Sequence, residues 1–328
     1  MKRLNGLFER IISLTNLRLA AKKARQGKSY YAIKKFDRNA DEHLRRLHDD
    51  LKNGTFRTSP YTIFKVYEPK ERDIYRLPFC PDRLVHHAIM NILEPVWTKV
   101  FTYNTYSCIK ERGITGCAEQ VERIIRLYDE SPCLYCLKID IRKYYPSIDH
   151  SVMKSIIRRK IKDKRLLDLL DGIIDSTDGL AIGNYLSQFL ANLYLAYFMH
   201  YVNETLKVKA VEYADDIVFF APTKDILHDT LVKVKEYAVT RLKVEIKGNH
   251  QIFPISRSRY DKRGRGLDYC GFVFYRDCKM IRKRIKQRMC RAVAKIGGTA
   301  TKQDIAGWYG WLVHSDSRHL AKKILNND

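Results

Sequence analysis

Val211-Glu212-Tyr213-Ala214-Asp215-Asp216-Ile217-Val218-Phe219-Phe220 decides how this chain is read. Two runs of β-forming residues, from Val208 to Tyr213 and from Ile217 to Ala221, flank a tight turn. That pattern predicts an antiparallel hairpin with adjacent carboxylates at its tip. Two aspartates side by side repel, and carboxylates set in apolar strand sequence are costly unless something compensates them. A bound cation is the natural compensation. Mg²⁺ suits it, because it prefers oxygen ligands and is often held by one or two carboxylates plus substrate phosphates. Read alone, an Asp-Asp pair is a turn former, so a second feature must decide.

That feature is Asp140, in Lys138-Ile139-Asp140-Ile141 at the end of an apolar strand expected from Leu134 to Ile141. If Asp140 approaches the hairpin, the three carboxylates can hold two Mg²⁺ ions. One would lower the pKa of an attacking hydroxyl, and the other would carry the charge of a leaving pyrophosphate. Working outward, periodicity predicts helices through the first sixty residues, from Arg83 to Val96, from Ser151 to Ile174, from Leu186 to Val202 and from Ile226 to Leu242. Short strands are expected at Tyr61 to Val66, Ile74 to Leu77 and Val244 to Ile246. Helices and strands mixed around a central hairpin predict an α+β fold rather than a doubly wound sheet. Seams are expected near residues 105 and 275.

Composition agrees with a polyanion partner. Lys+Arg 61 against Asp+Glu 37 leaves a net charge of +24, and 45% hydrophobic residues suffice for a core. Such an excess points first to nucleic acid, with an acidic membrane face as the alternative. No apolar run approaches the roughly 20 residues of a membrane span. The N-terminal segment lacks a long apolar signal core, and the eight cysteines form no paired framework. A reducing cytoplasm is the expected compartment. Cys133-Leu134-Tyr135-Cys136 has a CxxC spacing, but no second pair answers it, so it reads as small residues near a strand start rather than a zinc site. His86 and His87, adjacent on a helix, do not face the same way and read as structural.

Several blocks, in order from about Leu14 to Tyr275, resemble bacterial reverse transcriptases, most closely those of diversity-generating retroelements. Glu68-Pro69-Lys70-Glu71-Arg72, followed by Pro78 to Ala88, resembles the fingers block, which implies triphosphate contacts at Lys70 and Arg72. Tyr106 to Gly113 resembles the second block and implies a nucleotide or template contact at Arg112. Lys138 to His150 resembles the palm block. It implies that Asp140, Asp215 and Asp216 are catalytic, that metal is held by these with Ile141, and that Tyr145 is the aromatic gate excluding a ribose hydroxyl. Asp149 and His150 read as fixing the next helix start. Leu242 to Asn249 resembles the block after the hairpin, with Lys247 as a proton donor to pyrophosphate and Lys243 its competitor. Asp268-Tyr269-Cys270-Gly271-Phe272 resembles the primer grip, with Gly271 at its turn.

The fourth block, Gly179 to Leu195, departs from the common pattern. Ile182 stands before Gly183 where many reverse transcriptases have Gln, and Ser187-Gln188 replaces Ser-Pro. Ile182 cannot make the hydrogen bonds a glutamine could offer near the nucleotide. The diversity-generating group shares this departure. That resemblance implies error-prone copying of a template-repeat RNA, with misincorporation chiefly opposite adenine, and a small basic pentameric accessory protein as partner. It also implies a right-hand polymerase: residues 1–105 as N-terminal helices and fingers, 106–275 as remaining fingers and palm, 276–328 as a short basic thumb. A basic helix from Lys279 to Lys295, with Lys283, Arg284 and Lys286, is expected to follow the phosphates of an RNA–DNA hybrid. No maturase or endonuclease extension is expected after Asp328, so nicking or priming would come from elsewhere. The alternatives are a group II intron, retron or phage-defence reverse transcriptase, or a catalytically silent RNA-binding protein.

Overall fold

The computed structural model describes residues 3–67, 71–296, 303, 305–317, 319, 320 and 322. Lys70, expected to contact the triphosphate, lies outside the described residues. The chain divides into two compact units. Met1–Thr102, Ile141–His200 and Lys235–Ile246 form the first; Tyr103–Asp140, Tyr201–Val234 and Lys247–Asp328 form the second. No helix among the described residues is long and apolar enough to cross a membrane.

The first unit is mainly helical. Tyr185–His200 is apolar on nearly all sides and buries Phe189, Leu193, Tyr194 and Phe198, as a helix at the centre of a core must. Leu84–Thr98 buries Leu84, Ile89, Leu93 and Trp97. Each such aliphatic side chain contributes about 1.5–3 kcal/mol on burial. Leu14–Arg25 starts at Ser13, whose hydroxyl accepts the Asn16 N–H, and Asn16 in turn donates to the carbonyls of Ile11 and Ala88. β1 (Thr62–Val66) and β2 (Arg72–Arg76) form an antiparallel ribbon ending at Val66↔Arg72. This matches the two short strands expected there.

Two expectations fail in this unit. The single helix expected from Ser151 to Ile174 is two helices, His150–Arg158 and Lys164–Ile174. Asp163 is the cause. One carboxylate oxygen caps the second helix at Leu166 N, and the other accepts the N–H groups of Leu7 (2.7 Å) and Phe8 (2.9 Å). The strand expected at Val244 to Ile246 is reduced to one bridge, Ile141↔Ile246.

The second unit is built on a four-stranded sheet of order β4-β5-β3-β6, with β3 Tyr135–Asp140, β4 Lys209–Tyr213, β5 Asp216–Ala221 and β6 Gln251–Pro254. All neighbours are antiparallel. Helix Ile114–Arg126 buries Cys117, Val121 and Ile125 in one cluster with Val211, Val218 and Phe220 of the sheet. A three-stranded sheet, β7 (Leu267–Tyr269), β8 (Phe272–Phe274) and β9 (Lys279–Ile281), adds Tyr269, Phe272 and Phe274 to the same cluster.

The basic helix starts later than expected. Lys279 to Ile281 is strand, paired Phe274↔Lys279, and the helix is Lys283–Ala294. The strand wins because Lys279 finds a distant partner. Its ammonium bonds Glu122 at 2.6 Å with only 8% of the side chain exposed, and its N–H donates to Asp316. Lys279 is therefore committed to the fold rather than to phosphates. Cys136 is buried in the core and Cys133 is exposed, so the CxxC pair points two ways.

Candidate active site

The strand hairpin forms as expected, with Tyr213↔Asp216 closing a two-residue loop. Ala214 takes φ +57°, the left-handed backbone that such tight hairpins need and that costs a non-glycine residue about 1 kcal/mol or more. β5 then lies against β3 with Asp140 directly opposite Asp216. Side chains in such a pair stand about 4.5–5.5 Å apart at Cβ, and like charges there destabilise. The sheet thus sets Asp140 and Asp216 across strands, and Asp215 precedes Asp216 in the turn.

Two lysines offset this charge. The Lys247 ammonium bonds Asp140 Oδ2, and the Lys247 N–H donates to the Asp140 carbonyl at 2.9 Å. The Lys138 ammonium lies 4.0 Å from Asp216 Oδ1 and donates to the Asp268 carbonyl at 3.1 Å. Lys243, the competitor, is turned elsewhere in the first unit. It bonds Asp149, which caps His150–Arg158 through Val152 N. The Ser151 hydroxyl and Lys243 hold the Asp149 carboxyl well below the usual range.

Behind the hairpin lies a layer in which sequence reasoning named Arg112 and Gly271 but gave no role to Tyr269, Glu212 or Thr105. The Tyr269 hydroxyl lies 2.9 Å from the Asp216 carbonyl and 3.1 Å from that of Val211, so one phenol braces both strands of the hairpin. Burial pushes this hydroxyl well above its ordinary pKa. Glu212 is fully buried; its Oε2 accepts the Thr105 hydroxyl at 2.9 Å while Oε1 has no hydrogen-bond partner. Burial pushes its carboxyl up to about 8, so Glu212 is largely a neutral acid near pH 7. Arg112 belongs to this layer too, donating to the Thr105 carbonyl at 3.0 Å. Gly271, with φ +84°, is buried where any Cβ would strike Trp311.

Lys283, Arg284 and Lys286 are exposed on the helix Lys283–Ala294 of the second unit, and Arg72, Tyr145, Ile182, Gly183 and Ile141 lie in the first. Arg72 opens β2 and is exposed. Ile182 packs beside the same strand, its carbonyl accepting the Tyr75 N–H at 2.8 Å. Gly183 has φ +107°, and a Cβ there would press on Ile74. Tyr145 is set by a tight approach: Leu180 N donates to its carbonyl at 2.9 Å, and Gly179 (φ +64°) leaves no room for a Cβ against the Tyr145 and Pro146 carbonyls. Ile141 is buried, and because its side chain is hydrocarbon only its backbone carbonyl oxygen could serve as a ligand. His86 is buried and His87 stacks on Tyr185; burial pulls both imidazoles down to about 4. They remain neutral packing groups at neutral pH.

Whether the carboxylates suit a metal can be judged from their donors. Among the described residues no group of three His, Cys, Asp or Glu side chains is gathered closely enough to hold an ion. The donor chemistry nevertheless fits a hard cation. The available atoms are carboxylate oxygens, Asp140 Oδ1 is buried without a hydrogen-bond partner, and lysine ammonium groups supply the positive charge. A divalent ion on Asp140 would compete with Lys247 for the carboxylate.

Paired carboxylates from two neighbouring strands, backed by lysines on a basic chain, are the kind of donor set that metal-dependent phosphoryl-transfer sites use. Residues 68–249 match the family model described as reverse transcriptase (RNA-dependent DNA polymerase). The chain belongs to that family, whose members generally use divalent metal ions. Curated relatives include Protein YkfC of Escherichia coli K12, 27% identical over 49% of this chain and 45% of that protein. Nuclear intron maturase 4, mitochondrial, of Arabidopsis thaliana is 25% identical over 50% of this chain and 21% of its own length. Group II intron-encoded protein LtrA of Lactococcus lactis subsp. cremoris is 24% identical over 48% and 27%. The matched region spans less than half the length of each of these relatives.

Proposed function

We propose that this chain is an active RNA-dependent DNA polymerase that copies a template RNA from deoxynucleoside triphosphates, with two Mg²⁺ ions held by Asp140, Asp215 and Asp216 and the Ile141 carbonyl. The observation that carries this reading is the cross-strand opposition of Asp140 and Asp216 beside Asp215. In the reaction the primer 3′-oxygen bonds the α-phosphorus as the bond from that phosphorus to pyrophosphate breaks. The ions would supply charge neutralisation and a lower hydroxyl pKa. Lys247, on Asp140, is suited to give pyrophosphate a proton; Tyr269 and the Glu212–Thr105 pair hold the hairpin that carries the other carboxylates. Lys70, Arg72 and Arg112 are assigned to nucleotide or template contact, Tyr145 to sugar selection, and Lys283, Arg284 and Lys286, on a helix whose basic residues are exposed, to the hybrid's phosphates.

In right-hand terms, the four-stranded sheet is the proposed palm, β1–β2 part of the fingers, and the helices after Ile281 the thumb. Ile182 with Ser187-Gln188 favours the finer reading, mutagenic copying of a template-repeat RNA in a diversity-generating retroelement with a small basic pentameric partner. The group II intron-encoded relative favours the alternative, an intron-type enzyme. Primer extension on an adenine-containing RNA with Mg²⁺, followed by product sequencing with and without the partner, tests both. Wrong bases concentrated opposite adenine support the mutagenic reading. Faithful copying there rejects it and leaves the intron-type reading.

A further inference from the structure

The connection between β6 and β7, Ser256-Arg257-Ser258-Arg259-Tyr260-Asp261-Lys262-Arg263-Gly264-Arg265-Gly266, carries five basic residues against one acid. None of the family blocks accounts for it. It is a built surface rather than a slack loop. Ser256 N donates to the Arg265 carbonyl and Arg265 N to the Pro254 carbonyl, each at 3.1 Å. The Asp261 carboxylate accepts the N–H groups of Arg257 (3.2 Å) and Arg263 (3.0 Å), which closes the tip. Beneath it, Arg276 is 9% exposed and donates to the carbonyls of Tyr128, Asp129, Ser131 and Pro132, while its own N–H donates to Ser256. A guanidinium buried in a cage of carbonyls fixes the loop to the segment leading into β3.

On this base the loop presents an aromatic and cationic face. Tyr260 is 74% exposed, with the Arg259 guanidinium 4.5 Å from its ring centroid. Arg265 lies 3.8 Å over the Phe253 ring. Flat rings flanked by guanidinium groups are what unpaired bases stack on, at about 1–3 kcal/mol per base, while the cations follow the phosphates. A paired duplex would hide its base faces and offer only phosphates. Position separates this surface from the carboxylates. Pro254 pairs with Tyr135, at the start of β3, and Asp140 lies five residues further on. At about 3.4 Å per residue, the loop sits roughly 17 Å from the catalytic end of the strand.

We propose that the Ser256–Gly266 loop is a second RNA site, which takes an unpaired stretch of the template RNA outside the segment being copied. A base stacks on Tyr260, and Arg257, Arg259, Lys262 and Arg265 hold the flanking phosphates. The assignment of the RNA as template rests on the polymerase reading above; the binding itself does not.

The test uses the full chain with Tyr260→Ala and with the double variant Arg259→Ala/Lys262→Ala, whose side chains are exposed. Fluorescence anisotropy reads affinity for an unstructured single-stranded RNA, a fully paired RNA duplex and polyglutamate across a salt series. Tyr260→Ala is expected to weaken single-stranded RNA about ten-fold and to leave the duplex nearly unchanged. The double variant should lower the slope of log affinity against log salt by about 1–2. Extension on a primer–template with a long single-stranded RNA flank should show a raised KM, while a template ending just beyond the copied bases is used as well as by the wild type. Unchanged single-stranded affinity, equal loss on duplex and single strand for Tyr260→Ala, or loss confined to polyglutamate would overturn the proposal. A wild type that binds RNA in this way but makes no DNA would overturn the polymerase reading instead.

Discussion

At one end of β3, Asp140 faces Asp216 and each carboxylate has a lysine ammonium close by. At the other end, past Tyr135, arginines and a lysine stand exposed around Tyr260. The same strand therefore leads from a site where both cations are spent on carboxylates to one where Arg257 and Arg263 pair with carboxylates while Arg259 and Lys262 stand exposed. Net charge hides this difference, since +24 describes the whole chain. What separates the two ends is the partner of each cation. Chemistry on phosphates needs charge held at fixed points in a partly buried setting. Holding an RNA strand needs exposed charge and a ring face.

The comparison breaks most sharply at the carboxylates. Asp215→Ala is expected to lower extension by about 10³-fold or more while the melting temperature stays near that of the wild type. Substantial synthesis by this variant in a primer-extension assay would remove the turn from the chemistry. Next come the two lysines. Lys247→Ala should lower kcat about 10²-fold as a proton donor is lost, whereas Lys243→Ala, whose ammonium bonds Asp149, should leave kcat within a few-fold. Equal effects of the two would mean that the contact with Asp140 has no catalytic meaning.

Glu212 sets a pH dependence. Its folded pKa of about 8 lies above the ordinary 4.5, so the folded chain keeps a proton that the unfolded chain releases. Stability from this group falls as pH rises from about 4.5 to about 8, on the order of 1.4 kcal/mol per pH unit at most. Glu212→Gln should flatten that decline in melting temperature between pH 5 and 8. A slope equal to the wild type's would mean that Glu212 is ionised in the fold. The smallest effect is expected from Tyr269→Phe. Removing the hydroxyl takes away the one hydrogen that the Val211 and Asp216 carbonyls share, costing about 1 kcal/mol, with a few-fold loss in kcat. Thermal melts and steady-state rates measure both.

The hairpin was legible because alternating β-formers and a two-residue acidic tip are local signals, whereas the register that sets Asp140 opposite Asp216 came only from the fold. What stayed hidden depends on partners far along the chain. Nothing near Asp163 announces that it will cap one helix and also bind Leu7 and Phe8. Lys279 looked like one more cation of a basic helix until Glu122, far upstream, drew it into a strand. Lys243 and Lys247 are four residues apart and equivalent by composition; only the fold turns one toward Asp140 and the other toward Asp149. Glu212 stood in the quoted stretch, yet a lone glutamate between Val211 and Tyr213 gives no hint of complete burial.

The central claim is that the Asp140 end of β3 performs metal-dependent DNA synthesis. Single-nucleotide incorporation on a primed RNA template, titrated with Mg²⁺, tests it most directly in the wild type, Asp140→Asn and Tyr260→Ala. The account predicts Mg²⁺-dependent incorporation by the wild type and, on a template without a long flank, by Tyr260→Ala, and none by Asp140→Asn. Incorporation that persists in Asp140→Asn, or that proceeds equally after divalent ions are chelated, would contradict it.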